Sequence, residues 1–96
     1  MIKVNVNAIL GIIPLLGGNR IQVVEIEDES NVSDLLEKLI QIYGEELRDK
    51  ILDGNKKIKN GIVMFVNGVS ILALGGLNEK LKSGDEFLIF PPVGGG

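Results

Sequence analysis

The chain has 96 residues, enough for one domain with a modest core and too few for a second, so any site is carried on a single domain. Hydrophobic residues make up 45% of it, charged residues 24% and aromatics 4%, which predicts an aliphatic core of Ile, Leu and Val. A net charge of −3 and the absence of Cys and His exclude the basic footprint of a nucleic-acid binder, disulfides, thiolate metal sites, a cysteine nucleophile and the commonest general base.

In "IKVNVNA", Ile2, Val4, Val6 and Ala8 alternate with Lys3, Asn5 and Asn7, the period of a strand with one buried face. No apolar block resembles a signal peptide, and no run approaches the roughly 20 residues of a membrane span; the expectation is a soluble, cytoplasmic protein with no membrane partner. "ILGIIPLLGGN" follows, broken by Gly11, Pro14, Gly17 and Gly18, and reads as a hydrophobic loop. Its Ile12, Ile13, Leu15 and Leu16 either fold back over the open edge of the core or form a docking patch. "RIQVVEIEDE" resumes strand character, with a change of phase between Val23 and Val24 that suggests a bulge. The acidic run "EIEDES" is either a solvated strand end or a docking site for a basic partner.

In "SNVSDLLEKLIQIYG", Val32, Leu35, Leu36, Leu39, Ile40 and Tyr43 form one helical stripe. Ser30 or Asn31 is placed to cap its start and Gly44 to end it. "EELRDKIL" predicts a short second helix. "DGNKKIKNG" is a polar connection whose "KKIK" is too short for a nucleic-acid site in an acidic chain. "IVMFV" reads as a continuous apolar strand, and Asn67-Gly68 is the dipeptide best suited to a tight hairpin turn into "VSILAL". Gly75-Gly76 lacks the Gly-Lys-Ser/Thr ending of a phosphate loop and reads as a turn. Ser83-Gly84-Asp85 reads as a turn, and nothing near Asp85 and Glu86 in sequence suggests a pocket for paired catalytic carboxylates. "FLIF", unbroken and apolar, predicts a strand buried on both faces.

The order of strand, strand, helix, strand, strand, strand predicts an α+β fold, a β-grasp roll in which a mixed sheet of about five strands carries one main helix. Residues 1–90 form the domain and residues 91–96 a flexible tail. The first and last strands lie parallel at the centre, so the tail "PPVGGG" leaves from the middle of the sheet. Pro91 and Pro92 have fixed φ and no N–H, so they end sheet pairing and project the chain outward. Gly94, Gly95 and Gly96 have no side chains and fit a slot as narrow as the backbone; from Val93 onward the tail reaches about 14 Å at ~3.3 to 3.6 Å per residue. A carboxylate at Gly96 is inert toward nucleophiles until a partner using ATP converts it to an acyl-adenylate. Sulfur transfer onto that carbonyl gives a thiocarboxylate. None of this requires His, Cys or metal from the chain itself.

"LKSGDEFLIFPPVGGG" resembles the C-terminal signature of the MoaD/ThiS family of ubiquitin-like sulfur carriers, especially the small subunit of molybdopterin synthase, and "NVSDLLEKL" and "FVNG" also fall where that family has them. The resemblance implies that Gly96 is adenylated and thiocarboxylated, that Gly95 completes the diglycine, and that Gly94 fills a variable small position. Phe90, Pro91, Pro92 and Val93 would be gripped by an E1-like adenylyltransferase and by the synthase large subunit. ATP and its metal ion would belong to the activating partner, leaving this chain without a bound cofactor, and the chain alone is not catalytic. The longer middle segment and "GLNEKLKSGDE" resemble the archaeal small modifier proteins of the same family, which are attached to target lysines through their terminal glycine. Three uses stay open: sulfur carrier, covalent modifier, and interaction domain with an inert tail.

Overall fold

The computed structural model describes residues 1–91; the readings placed on Pro92, Val93, Gly94, Gly95 and Gly96 lie outside the described residues. Five strands, β1 (Ile2–Ala8), β2 (Ile21–Ile26), β3 (Val63–Val66), β4 (Val69–Ser70) and β5 (Glu86–Phe90), form one sheet in the order β2-β1-β5-β3-β4. β1 and β5 are parallel neighbours at its centre, with Asn5 opposite Glu86 and Ala8 opposite Ile89; the other pairs are antiparallel. This is the β-grasp arrangement that the element order predicts.

Alternation decides what each strand buries. Val4, Val6 and Ala8 of β1, Val24 and Ile26 of β2, Met64 and Val66 of β3, and Phe87 and Ile89 of β5 are buried on one face. Helix α1 (Val32–Tyr43) lays Val32, Leu35, Leu36, Leu39 and Ile40 into the same core, each such side chain contributing about 1.5–3 kcal/mol by leaving water. The start of α1 is fixed by a reciprocal capping box. The Asp34 N–H donates to Asn31 Oδ1 (2.8 Å) and the Asn31 N–H to Asp34 Oδ2 (2.9 Å), which together satisfy two amides that the helix itself cannot. Gly44 separates α1 from α2 (Glu45–Ile51), whose Leu47 and Ile51 complete the core. Among the described residues no helix is long and apolar enough to cross a membrane.

Four expectations need correction. The apolar connection between β1 and β2 is a 3-10 segment, Leu10–Leu16, not a loop: Ile12 and Leu16 are fully buried, and Ile13 and Leu15 pack against the core. It stops at Gly17, where φ is +70° and a Cβ would lie 2.9 Å from the Tyr43 ring. No bulge interrupts β2, because its partners run one-to-one from Ile2–Ile26 to Asn7–Ile21. Val23 breaks phase simply because it points outward and is 59% exposed. "FLIF" is central, yet only Phe87 and Ile89 are buried while Leu88 and Phe90 are half-buried. One layer of helix covers only one face of the sheet. Finally, Pro91 is buried, so it sits with the domain, one residue beyond the boundary drawn at residue 90.

Candidate functional site

The two sequence signals at the start of β5 meet in space. Asn67 and Gly68 have φ of +51° and +81°, the geometry of a tight hairpin turn that matches the strand twist. In this turn the Asn67 side chain works in both directions: its Nδ2 donates to Asp85 Oδ1 (3.0 Å) and its Oδ1 accepts from the Glu86 N–H (2.9 Å). Asp85 Oδ2 also accepts from the Lys82 N–H (2.7 Å), and the Gly84 N–H donates to the Lys3 carbonyl (2.8 Å). Asp85 is therefore a clamp that fixes where β5 enters the sheet, each of its carboxylate oxygens accepting from one structural donor.

With its entry fixed, β5 carries Phe90 to the exit of the sheet on the outer face, opposite α1. There the Phe90 ring meets Phe65 edge-on, with centroids 5.5 Å apart and planes at 75°, the geometry the aromatic quadrupoles favour. Val63 lies opposite Phe90 in the ladder and is 39% exposed. One row crosses all five strands on this face through Ile21, Asn7, Leu88, Phe65 and Ser70. A shallow concavity is lined by Asn7, Arg20, Ile21, Phe65, Glu86 and Leu88. The result is an apolar strip of Val63, Phe65, Leu88 and Phe90 beside the point where the chain leaves the sheet, continued by Ile21 and edged by Asn7, Arg20 and Glu86. Exposed apolar surface of this kind suits a protein contact.

Of the residues expected to bind a partner, the structure puts Phe90 in this strip. Pro91 is buried, whereas it was read as part of an outward tail, and Pro92 and Val93 lie outside the described residues, as do Gly94, Gly95 and Gly96. Phe65, Leu88, Ile21 and Val63 were missed as surface residues. Their signal was present as strands apolar in both phases, in a chain with too little helix to cover both sides. Among the described residues no group of three or more acidic side chains converges as a metal site.

A model described as the ThiS family matches residues 11–96. A candidate sulfur carrier protein of Archaeoglobus fulgidus is 39% identical over 74 residues, covering 76% of this chain and 83% of that protein. Among solved structures, small archaeal modifier protein 1 of Methanosarcina acetivorans superposes with a TM-score of 0.83 at 28% identity, covering 100% of this chain and 98% of the other. A candidate molybdopterin converting factor, subunit 1, of Pyrococcus furiosus gives a TM-score of 0.73 at 26% identity, covering 97% of this chain and 100% of the other.

Proposed function

The chain belongs to the ThiS family, and on that premise we propose that it is a sulfur carrier whose C-terminal Gly96 is adenylated and thiocarboxylated to donate sulfur for molybdopterin, as the small subunit of molybdopterin synthase. The observation that carries this reading is the family match through residue 96, in a chain whose central strand leads directly into "PPVGGG". The Gly96 carboxylate oxygen attacks the α-phosphate of ATP on an E1-like adenylyltransferase, and pyrophosphate leaves. Sulfide-level sulfur, delivered by a partner as hydrosulfide, then attacks the acyl carbon and loses its proton. The bond to AMP breaks with its electron pair, leaving a thiocarboxylate, a soft anionic nucleophile. Two loaded carriers supply the two dithiolene sulfurs on a precursor held by the synthase large subunit.

The chain's own share is presentation. Gly94 and Gly95, having no side chains, suit a slot as narrow as the backbone, and the strip of Phe65, Leu88 and Phe90 gives the partners an apolar surface beside the end of β5. ATP and its metal ion stay with the activating enzyme. The likeness to the Methanosarcina acetivorans modifier favours a second use of the same adenylate, in which a lysine amine of a target protein attacks Gly96 and forms an isopeptide bond.

Intact mass measurement of the protein purified gently from its own cells, with mapping of the C-terminal peptide, separates these readings. One sulfur-for-oxygen exchange confined to the last peptide is the expected result. Gly96 joined to lysines of other proteins, without that exchange, makes the chain a modifier. A tail that stays unmodified when the activating enzyme, ATP and a sulfur donor are added overturns both.

A further inference from the structure

The two edges of the sheet are unlike. On one side β4 has only two residues, too short to template another strand. On the other, β2 runs for six residues and, among the described residues, pairs only with β1. The Ala8 N–H donates to the Arg20 carbonyl at 2.8 Å, which marks a hydrogen-bonded pair at the end of the β1–β2 ladder. Bonded and non-bonded pairs alternate in an antiparallel ladder, so Arg20, Gln22, Val24 and Ile26 turn their amides and carbonyls toward β1. Ile21, Val23 and Glu25 therefore turn theirs to the free edge. Edge strands are normally guarded by charged side chains, above all lysine, by proline or by a bulge. "IQVVEI" has no lysine or proline, its pairing with β1 is one-to-one, and its single charge is Glu25, which repels an acidic strand and attracts a basic one.

Beside this edge, between β2 and α1, runs a groove whose lining includes buried Ile26 and Ile40. Seven acidic residues line it, among them Glu25, Glu27, Asp28 and Glu37, against three cations, Lys38, Arg48 and the Met1 amino terminus, the last paired with Asp28 at 2.9 Å. Arg48 is already held by Glu37 (3.0 Å) and Glu45 (2.8 Å). We propose that the free edge of β2 and this acidic groove together dock an extended basic segment of a partner protein, which adds to the sheet as a sixth strand. Its backbone bonds to Ile21, Val23 and Glu25. One phase of its side chains, apolar, lies beside exposed Ile21 and Val23; the other, basic, lies over the groove. Strand addition of this kind takes affinity from the ladder and specificity from alternate side chains. A second copy of this chain is disfavoured, because it would bring the same acidic rim and a net charge of −3.

The probe is a synthetic peptide of about nine residues, a usual strand length, alternating valine and lysine, titrated into the isotopically labelled full chain at low salt. A valine–glutamate peptide is the control. The expected result is that the amides of Ile21, Val23 and Glu25 shift and gain protection from exchange, that binding weakens as salt is added, and that the control does not bind. Val23→Pro removes one outward N–H and leaves the β1 ladder intact, and is expected to weaken binding about tenfold or more. Should that variant fail to fold, the pair Glu25→Lys and Glu27→Lys carries the test, losing the lysine peptide and gaining the glutamate one. Unchanged binding by the charge-reversed pair overturns the proposal. So does a footprint on Phe65 and Leu88 in place of β2, absence of binding by the lysine peptide, or concentration-dependent self-association through the same amides.

Discussion

Truncating the aromatic pair on the outer face tests whether that face is built for contact or for stability. Phe90 is half-buried and meets Phe65 edge-on at 5.5 Å, so Phe90→Ala forfeits the pair, about 0.5–1.5 kcal/mol, and roughly half the transfer free energy of a fully buried ring, about 1 kcal/mol. The expected cost is about 2 kcal/mol, a fall in Tm of ~8–16 °C for a domain of this size. Phe87 is fully buried one strand position before Leu88, and Phe87→Ala should cost about 3–5 kcal/mol through transfer and cavity together. Urea unfolding of Phe65→Ala, Phe90→Ala and the double variant forms a cycle whose coupling should match the pair energy. In parallel, binding of the activating enzyme should weaken for the Phe65 and Phe90 variants. Equal costs for Phe90→Ala and Phe87→Ala, or full partner affinity after both outer rings are removed, would refute the assignment of this face.

Three other outcomes are expected. Deletion of Gly96 abolishes loading by the activating enzyme and leaves Tm unchanged, since a terminal glycine has no side chain to withdraw from a core; a lower Tm on thermal unfolding contradicts this. Asn67→Ala loses a side chain that bonds both Asp85 and Glu86 and puts alanine at positive φ, so denaturant unfolding should report a loss of about 2–3 kcal/mol. A loss below 0.5 kcal/mol by the same measure, roughly the effect of an ordinary surface change, would deny the clamp. Asp53 accepts from the Lys57 and Asn55 amides (3.0 and 2.8 Å), and these bonds, Lys57 first, hold its carboxyl below the ordinary 3.8. Its contribution to the 53–57 turn is therefore full above that value and is lost as pH falls through the lower, folded one. The Asn55 and Lys57 amide resonances should titrate with a midpoint below 3.8, and a midpoint at or above it refutes the assignment.

Much of the fold was legible because its local signals agree with one another. The stripe from Val32 to Tyr43, Asn31 ahead of it, Gly44 behind it and Asn67-Gly68 between two apolar runs each have a local physical cause. The errors arose where sequence pattern depends on what lies across the sheet. Val23 and Val24 read as a slip because a solvent-facing valine is indistinguishable in sequence from a core one. Leu88 and Phe90 read as buried because apolar character records affinity for an apolar surface without saying whose surface. The 3-10 segment at residues 10–16 was hidden by Pro14 and the glycines, which forbid a long helix and still permit a short tight one. The contact strip had a usable clue in the single layer of helix, too little to cover both faces. The edge of β2 had none, since a free edge is defined by which strand fails to pair.

The parallel pairing of β1 with β5 joins the first strand to the last across most of the chain's length. Such long-range pairing is slow to form, and during synthesis it must wait until the final strand has left the ribosome. A product cut short anywhere before residue 86 lacks the centre of its sheet, so β1 and β3 have nothing between them and the hydrophobic interior stays open. The sheet is thus closed around β5 only when the preceding residues are all present. The topology acts as a completeness check: an activating enzyme that reads both the outer face and the C-terminus would spend ATP on finished molecules and pass over fragments.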